Sequence, residues 1–78
     1  MNPLEALQSE TRRRIPSAET IHAVRSGAAY EVSIEASGTT TKARLKARFW
    51  EEFLSSGGTE GCDCVDHFFE HLETMLRP

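Results

Sequence analysis

The sequence predicts an α+β fold: a small antiparallel β-meander of two or three strands with helices packed on one face, in the order α-β-β-β-α-α. Three observations predict it. Between residues 28 and 49 the chain alternates, with Tyr30, Val32, Ile34 and Ala36 apolar, then Ala43, Leu45, Ala47 and Phe49, on either side of Ser37-Gly38-Thr39-Thr40. Period-two alternation around a glycine-bearing turn is a hairpin signal. From Cys62 to Leu76, Val65, Phe68, Phe69, Leu72, Met75 and Leu76 recur at helical spacing, a core-facing stripe about 120° wide. Asn2-Pro3-Leu4-Glu5 reads as a helix start: a capping Asn, a Pro at the first helical position and an acid in the first turn.

In chain order, the first helix carries Leu4 and Leu7 on its apolar edge and Arg12, Arg13 and Arg14 near its C-terminal end, where cations suit the helix dipole. Pro16 biases Ile15 away from helix and ends the element. Thr20 to Arg25 reads as a strand returning through Ser26-Gly27, with Ala23 facing Tyr30, Ile21 facing Val32 and His22 facing Glu31, although Ser17 could instead cap a short helix over residues 17–25. If this stretch is helical instead, the order becomes α-α-β-β-α-α. In the central hairpin a type II′ turn at Gly38-Thr39, or a four-residue loop from Ser37 to Thr40, puts Glu35 opposite Lys42 and Glu31 opposite Lys46 on the outer face. It puts Val32 opposite Leu45 and Ile34 opposite Ala43 inside. Trp50, Phe53 and Leu54 then mark a short helical turn on the sheet, and the indole N–H needs a partner. Residues 55–61 are a flexible loop by composition; no Lys-Ser/Thr follows the glycines, which excludes a phosphate-binding P-loop.

Length and composition bound the rest. With 78 residues, 38% hydrophobic and 27% charged, the expectation is one domain, residues 1–78, with a small core. Apolar runs are too short for a membrane span, the N-terminus lacks the pattern of a secretory signal, and two cysteines two residues apart make no disulfide framework. A cytoplasmic setting is expected. The net charge of −3 is split: residues 1–48 hold eight Lys/Arg and five Asp/Glu (+3), and residues 49–78 hold one Arg and seven Asp/Glu (−6). So polarised a chain points to partners through its surfaces.

Three clusters carry chemistry. Asp63, Asp66, Glu70 and Glu73 lie along one side of the last helix, rising by roughly 4.5–6 Å per step, a row of carboxylates that can occupy a groove built for phosphates. Arg12, Arg13 and Arg14 with the strand cations Lys42, Arg44, Lys46 and Arg48 form an alternative, nucleic-acid-binding face. Cys62, Cys64, His67 and His71 contain a Cys₂His₂ set, but four ligands within two helical turns depart from the usual zinc-finger spacing, so a metal-free flank is expected and a zinc-stabilised module is the alternative. A thiol next to an imidazole is also half of a nucleophilic pair, yet no oxyanion donors or orienting third group accompany it.

The α-β-β-β-α order is similar to that of the double-stranded RNA-binding domain, whose resemblance implies readout of backbone and 2′-hydroxyls. That family opens its second helix with a lysine cluster; here the corresponding residues are Gly61-Cys62-Asp63-Cys64-Val65-Asp66, so the likeness covers topology and not the RNA-binding residues. The expected function is a small non-enzymatic module that binds a larger protein through the acidic helix side, as a stoichiometric inhibitor of a nucleic-acid-handling complex in the manner of phage-encoded anti-CRISPR proteins. Direct nucleic-acid binding is the second class, and an open sheet edge leaves a homodimer open.

Overall fold

The structure, a computed structural model, describes residues 2–58 and 62–76, the Cys62 side chain excepted. The elements are α1 (Pro3–Arg14), β1 (Thr20–Ser26), β2 (Ala29–Ala36), β3 (Thr39–Lys46), α2 (Ala47–Ser55) and α3 (Cys62–Leu76). The predicted α-β-β-β-α-α order is thus the observed one, and residues 20–26 form a strand. The three strands make one antiparallel sheet in the order β1-β2-β3.

Local chemistry closes the start of α1 and the end of α2. Asn2 Oδ1 accepts the Glu5 backbone N–H at 2.8 Å, which caps α1. At the end of α2, Gly58 N–H reaches the Phe53 carbonyl at 2.9 Å and Gly57 N–H the Leu54 carbonyl at 3.3 Å, with Gly57 at φ +70°. This is the Schellman arrangement, so the first part of the glycine-rich stretch expected as a flexible loop is a helix cap. Residues 59–61 of that stretch lie outside the described residues.

All three helices lie on one face of the sheet. Tyr30, Val32 and Ile34 of β2, Leu45 of β3 and Ala23 of β1 form a single core with Leu7, Trp50 and the α3 stripe of Val65, Phe68, Phe69 and Leu72. α1 packs along β1 and α3 along β3, with α2 between them and in contact with both. Trp50 is 1% exposed, and its indole N–H donates to the Pro3 carbonyl at 2.9 Å, tying the start of α1 to α2. Leu54, expected to pack with Trp50 and Phe53, is instead 38% exposed; Ala47, two turns earlier, is buried with Trp50. Thr11 is a core residue that the apolar pattern does not reveal: it is fully buried because its hydroxyl donates to the Leu7 carbonyl at 2.7 Å.

Both hairpins keep the expected inside and outside faces, and both are displaced in register by two residues. β2 and β3 turn at Ser37-Gly38, not at Gly38-Thr39, with φ of +53° and +78° at these two residues. Two successive positive φ values are the type I′ geometry, whose twist matches that of the strands. The pairs are therefore Glu31 with Arg44, Ser33 with Lys42 and Ala29 with Lys46; inside, Val32 faces Ala43 and Ile34 faces Thr41. β1 and β2 turn at Gly27-Ala28, not Ser26-Gly27, so Ala23 faces Val32, Ile21 faces Ile34 and His22 faces Ser33 in place of Glu31.

Gly38 is the position where the turn most needs glycine. A Cβ there meets no neighbour within 4 Å, so the cost of Gly38→Ala is backbone strain alone, about 1–2 kcal/mol. Urea denaturation is expected to show that loss with unchanged m-value.

Candidate functional site

Three surfaces were legible as candidates, and the fold treats them differently. The arginine triplet at the end of α1 is divided. Arg13 Nε donates to Glu10 Oε1 at 2.6 Å, and Arg12 is exposed. Arg14 folds inward: its Nη1 reaches Asp66 Oδ1 at 2.5 Å, and its guanidinium lies 4.8 Å from the centre of the Phe69 ring and 6.0 Å from that of Phe53. Its Nε, 3.5 Å from Glu10 Oε2, has an ionic contact without hydrogen-bond geometry. Arg14 is thus a pin between α1 and α3 across 52 residues of chain.

That pin changes the acidic row. Asp66 faces a cation, in an ion pair that is open to solvent on the aspartate side. Asp63 and Glu70 are exposed, and Glu73 has a polar or electrostatic contact of its own. The structure keeps the four acids on the outward side of α3 but gives them different environments.

The sheet cations go the other way. Lys42, Arg44 and Lys46 all point to the sheet face that no helix covers, and all three are exposed. With the displaced register, only Arg44 stands opposite a carboxylate, Nε to Glu31 Oε2 at 3.4 Å, with its Nη2 also donating to Ser26 Oγ at 3.2 Å. Lys42 faces Ser33 and Lys46 faces Ala29. Arg48, expected as a strand cation, lies instead in α2, because β3 ends at Lys46; Lys46 and Arg48 flank the ring of Phe49, at 5.9 and 5.0 Å from its centre. Since α1 packs along β1, at the opposite edge of the sheet, nothing merges Arg12–Arg14 with these cations into one face.

Between β3 and α3 runs an open groove of about 720 Å³ that sequence reading did not reveal. Its floor is apolar: Ala43 and Leu45 of β3, Phe49 of α2 and Phe68 of α3. Its far wall is the side of α3 that carries Cys64, His67 and His71, with Asp63 at one end, while Arg44 and Lys46 edge the strand side. The Cys/His cluster therefore lies along a groove wall. Cys64 is a free, exposed thiol, and among the described residues no three His, Cys, Asp or Glu side chains converge on a point where a metal would sit. The Cys62 side chain lies outside the described atoms. The signal that could have exposed the groove is the pairing of two facts: β3 ends the sheet, and α3 carries small or polar side chains on the flank next to it.

β3 also presents its backbone here. The turn at Ser37-Gly38 closes on Thr39, whose amide faces β2, and at the other end Ala47 N–H donates to the Ala28 carbonyl at 2.8 Å. Antiparallel alternation then directs the backbone groups of Thr40, Lys42, Arg44 and Lys46 away from β2. Comparison with known proteins gives no match: no family model, no curated protein and no solved structure is similar to this chain. Among the described residues, no helix is long and apolar enough to cross a membrane.

Arg13, through its hydrogen bond, holds the Glu10 carboxyl below its ordinary value of 4.5, against the opposing effect of partial burial and with Coulombic help from Arg13 and Arg14. A lowered folded-state pKa contributes stability above the ordinary value, and that stability is lost as pH falls through the lowered one. Glu10→Gln is therefore expected to cost up to about 1 kcal/mol at pH 7, and the gap from the parent chain to close on acidification below pH 4.5, measured by urea denaturation at several pH values.

Proposed function

We propose that this chain is a small non-enzymatic protein-binding module that accepts an extended segment of its partner as an added strand at the outer edge of β3. The observation that carries this reading is the open apolar groove between β3 and α3, lying alongside a strand that ends the sheet. Strand addition uses both features at once: main-chain hydrogen bonds to the edge supply affinity, and pockets for alternate side chains supply specificity. In this reading Cys64, His67 and His71 are wall residues of the groove. The acidic row of α3 supports an inhibitor of a nucleic-acid-handling complex less well, since Asp66 is already paired with Arg14.

The test is site-resolved photo-crosslinking in the source cell. Benzoylphenylalanine placed at position 64, on the groove wall, is expected to trap a protein adduct, and the same group at position 70, on the acidic side of α3, is expected to trap none. An adduct from position 70 alone would return the working surface to the acidic row and remove the groove reading.

A further inference from the structure

Given strand addition at β3, on which the following rests, the strand and the groove together fix the chemistry of the occupant. An added strand sends its side chains alternately to the two faces of the sheet. On the uncovered face they would lie beside Lys42, Arg44 and Lys46, of which only Arg44 already has an opposite carboxylate. On the helix side they would lie over Leu45, Phe49 and Phe68. We infer that the occupant is an acidic, extended segment of a partner protein in which carboxylate and apolar side chains alternate.

The chain already contains a segment of this kind in the matching place. β2, on the other side of β3, reads Tyr30-Glu31-Val32-Ser33-Ile34-Glu35, with the apolar residues buried and Glu31 on Arg44. β3 is thus a basic strand with an acidic–apolar neighbour on one edge and an open apolar groove on the other. A second copy fits this edge poorly, because antiparallel pairing of β3 with β3 sets Lys and Arg side chains against one another, and like charges directly opposite are destabilising. A nucleic acid fits it poorly too. Glu31 and Glu35 share the uncovered face with the cations, and the nearby aromatic, Phe49, lines the groove on the helix side.

Peptides of about eight residues test the inference against the isotope-labelled full chain by NMR titration. The first has the sequence of residues 29–36, the second carries Lys at both Glu positions, and the third is a scramble of the first without alternation. The first is expected to bind and shift the amides of Lys42, Arg44 and Lys46. The second is expected to bind roughly tenfold more weakly, from two cross-strand charge pairs. Lys42→Glu with Lys46→Glu should reverse that preference. Both positions are exposed, so the fold should survive, and Lys42→Gln with Lys46→Gln serves as a milder pair. If the two charged peptides bind β3 equally, strand addition stands and the charge inference is overturned. If no peptide shifts β3, strand addition itself fails. If the chain sediments as a dimer through β3, or if a duplex oligonucleotide shifts these amides in a steeply salt-dependent way while the peptides do not, the occupant is a second copy or a nucleic acid, and the inference is wrong.

Discussion

Ser37 and Gly38 both take positive φ, and the charge map of the sheet depends on that turn. The turn fixes which residue of β3 stands opposite each residue of β2. Moving it by one residue moves every cross-strand pair by two. With the turn at Ser37-Gly38, Glu31 neutralises Arg44, while Lys42 and Lys46 meet a serine and an alanine. Had the chain turned one residue later, both lysines would face carboxylates and Arg44 would face Ser33 instead. Which cations beside the groove lack an opposite carboxylate is therefore set by turn geometry, while their excess over the acids is set by composition.

This explains why the faces of the sheet were legible and their phase was not. Alternation of apolar and polar residues fixes parity, because a slip of one residue would bury Lys and Arg. It does not distinguish registers two residues apart, which keep the same side chains inside. Only the turn arbitrates, and both turns are ambiguous on paper: each contains Ser-Gly followed by a small residue. The chain resolves them oppositely. Gly38 is the second turn residue, after a Ser that accepts positive φ, whereas Gly27 is the first, with the positive φ on glycine alone, as a type II′ turn requires. In the second hairpin the cost of the observed phase is a polar residue inside: Thr41 faces Ile34 and donates to Met75 Sδ at 3.4 Å.

The acidic row shows a different limit. Helical spacing placed Asp63, Asp66, Glu70 and Glu73 on one side of α3, and cations are scarce in the neighbouring sequence. Scarcity along the chain is not scarcity in space. The basic end of α1 folds against α3, so Arg14 reaches Asp66 and stacks over Phe69. The +3 and −6 halves of the sequence are in contact, and part of the apparent polarisation is spent within the molecule. Local rules could assign Arg12–Arg14 to a helix C-terminus, where they are. They could not show that one of the three turns inward, since that depends on a contact 52 residues distant.

Cations on an edge strand have an ordinary explanation: they discourage unwanted sheet pairing. The two edges of this sheet decide how far that explanation goes. β1 is the other edge, and its uncovered-face residues are Thr20, His22, Val24 and Ser26, with Val24 50% exposed. Protection by charge would be needed most there, and that face of β1 carries no Lys or Arg. The lysines instead line the edge that borders an apolar groove, where the adjoining helix carries Cys64 and His67 beside Phe68. A guarded edge needs no groove, and a groove filled by chance needs no row of cations beside it. Their coincidence on β3 fits the proposed strand addition, in which the charge would disfavour basic strands and the groove would take the apolar side chains of an acidic one.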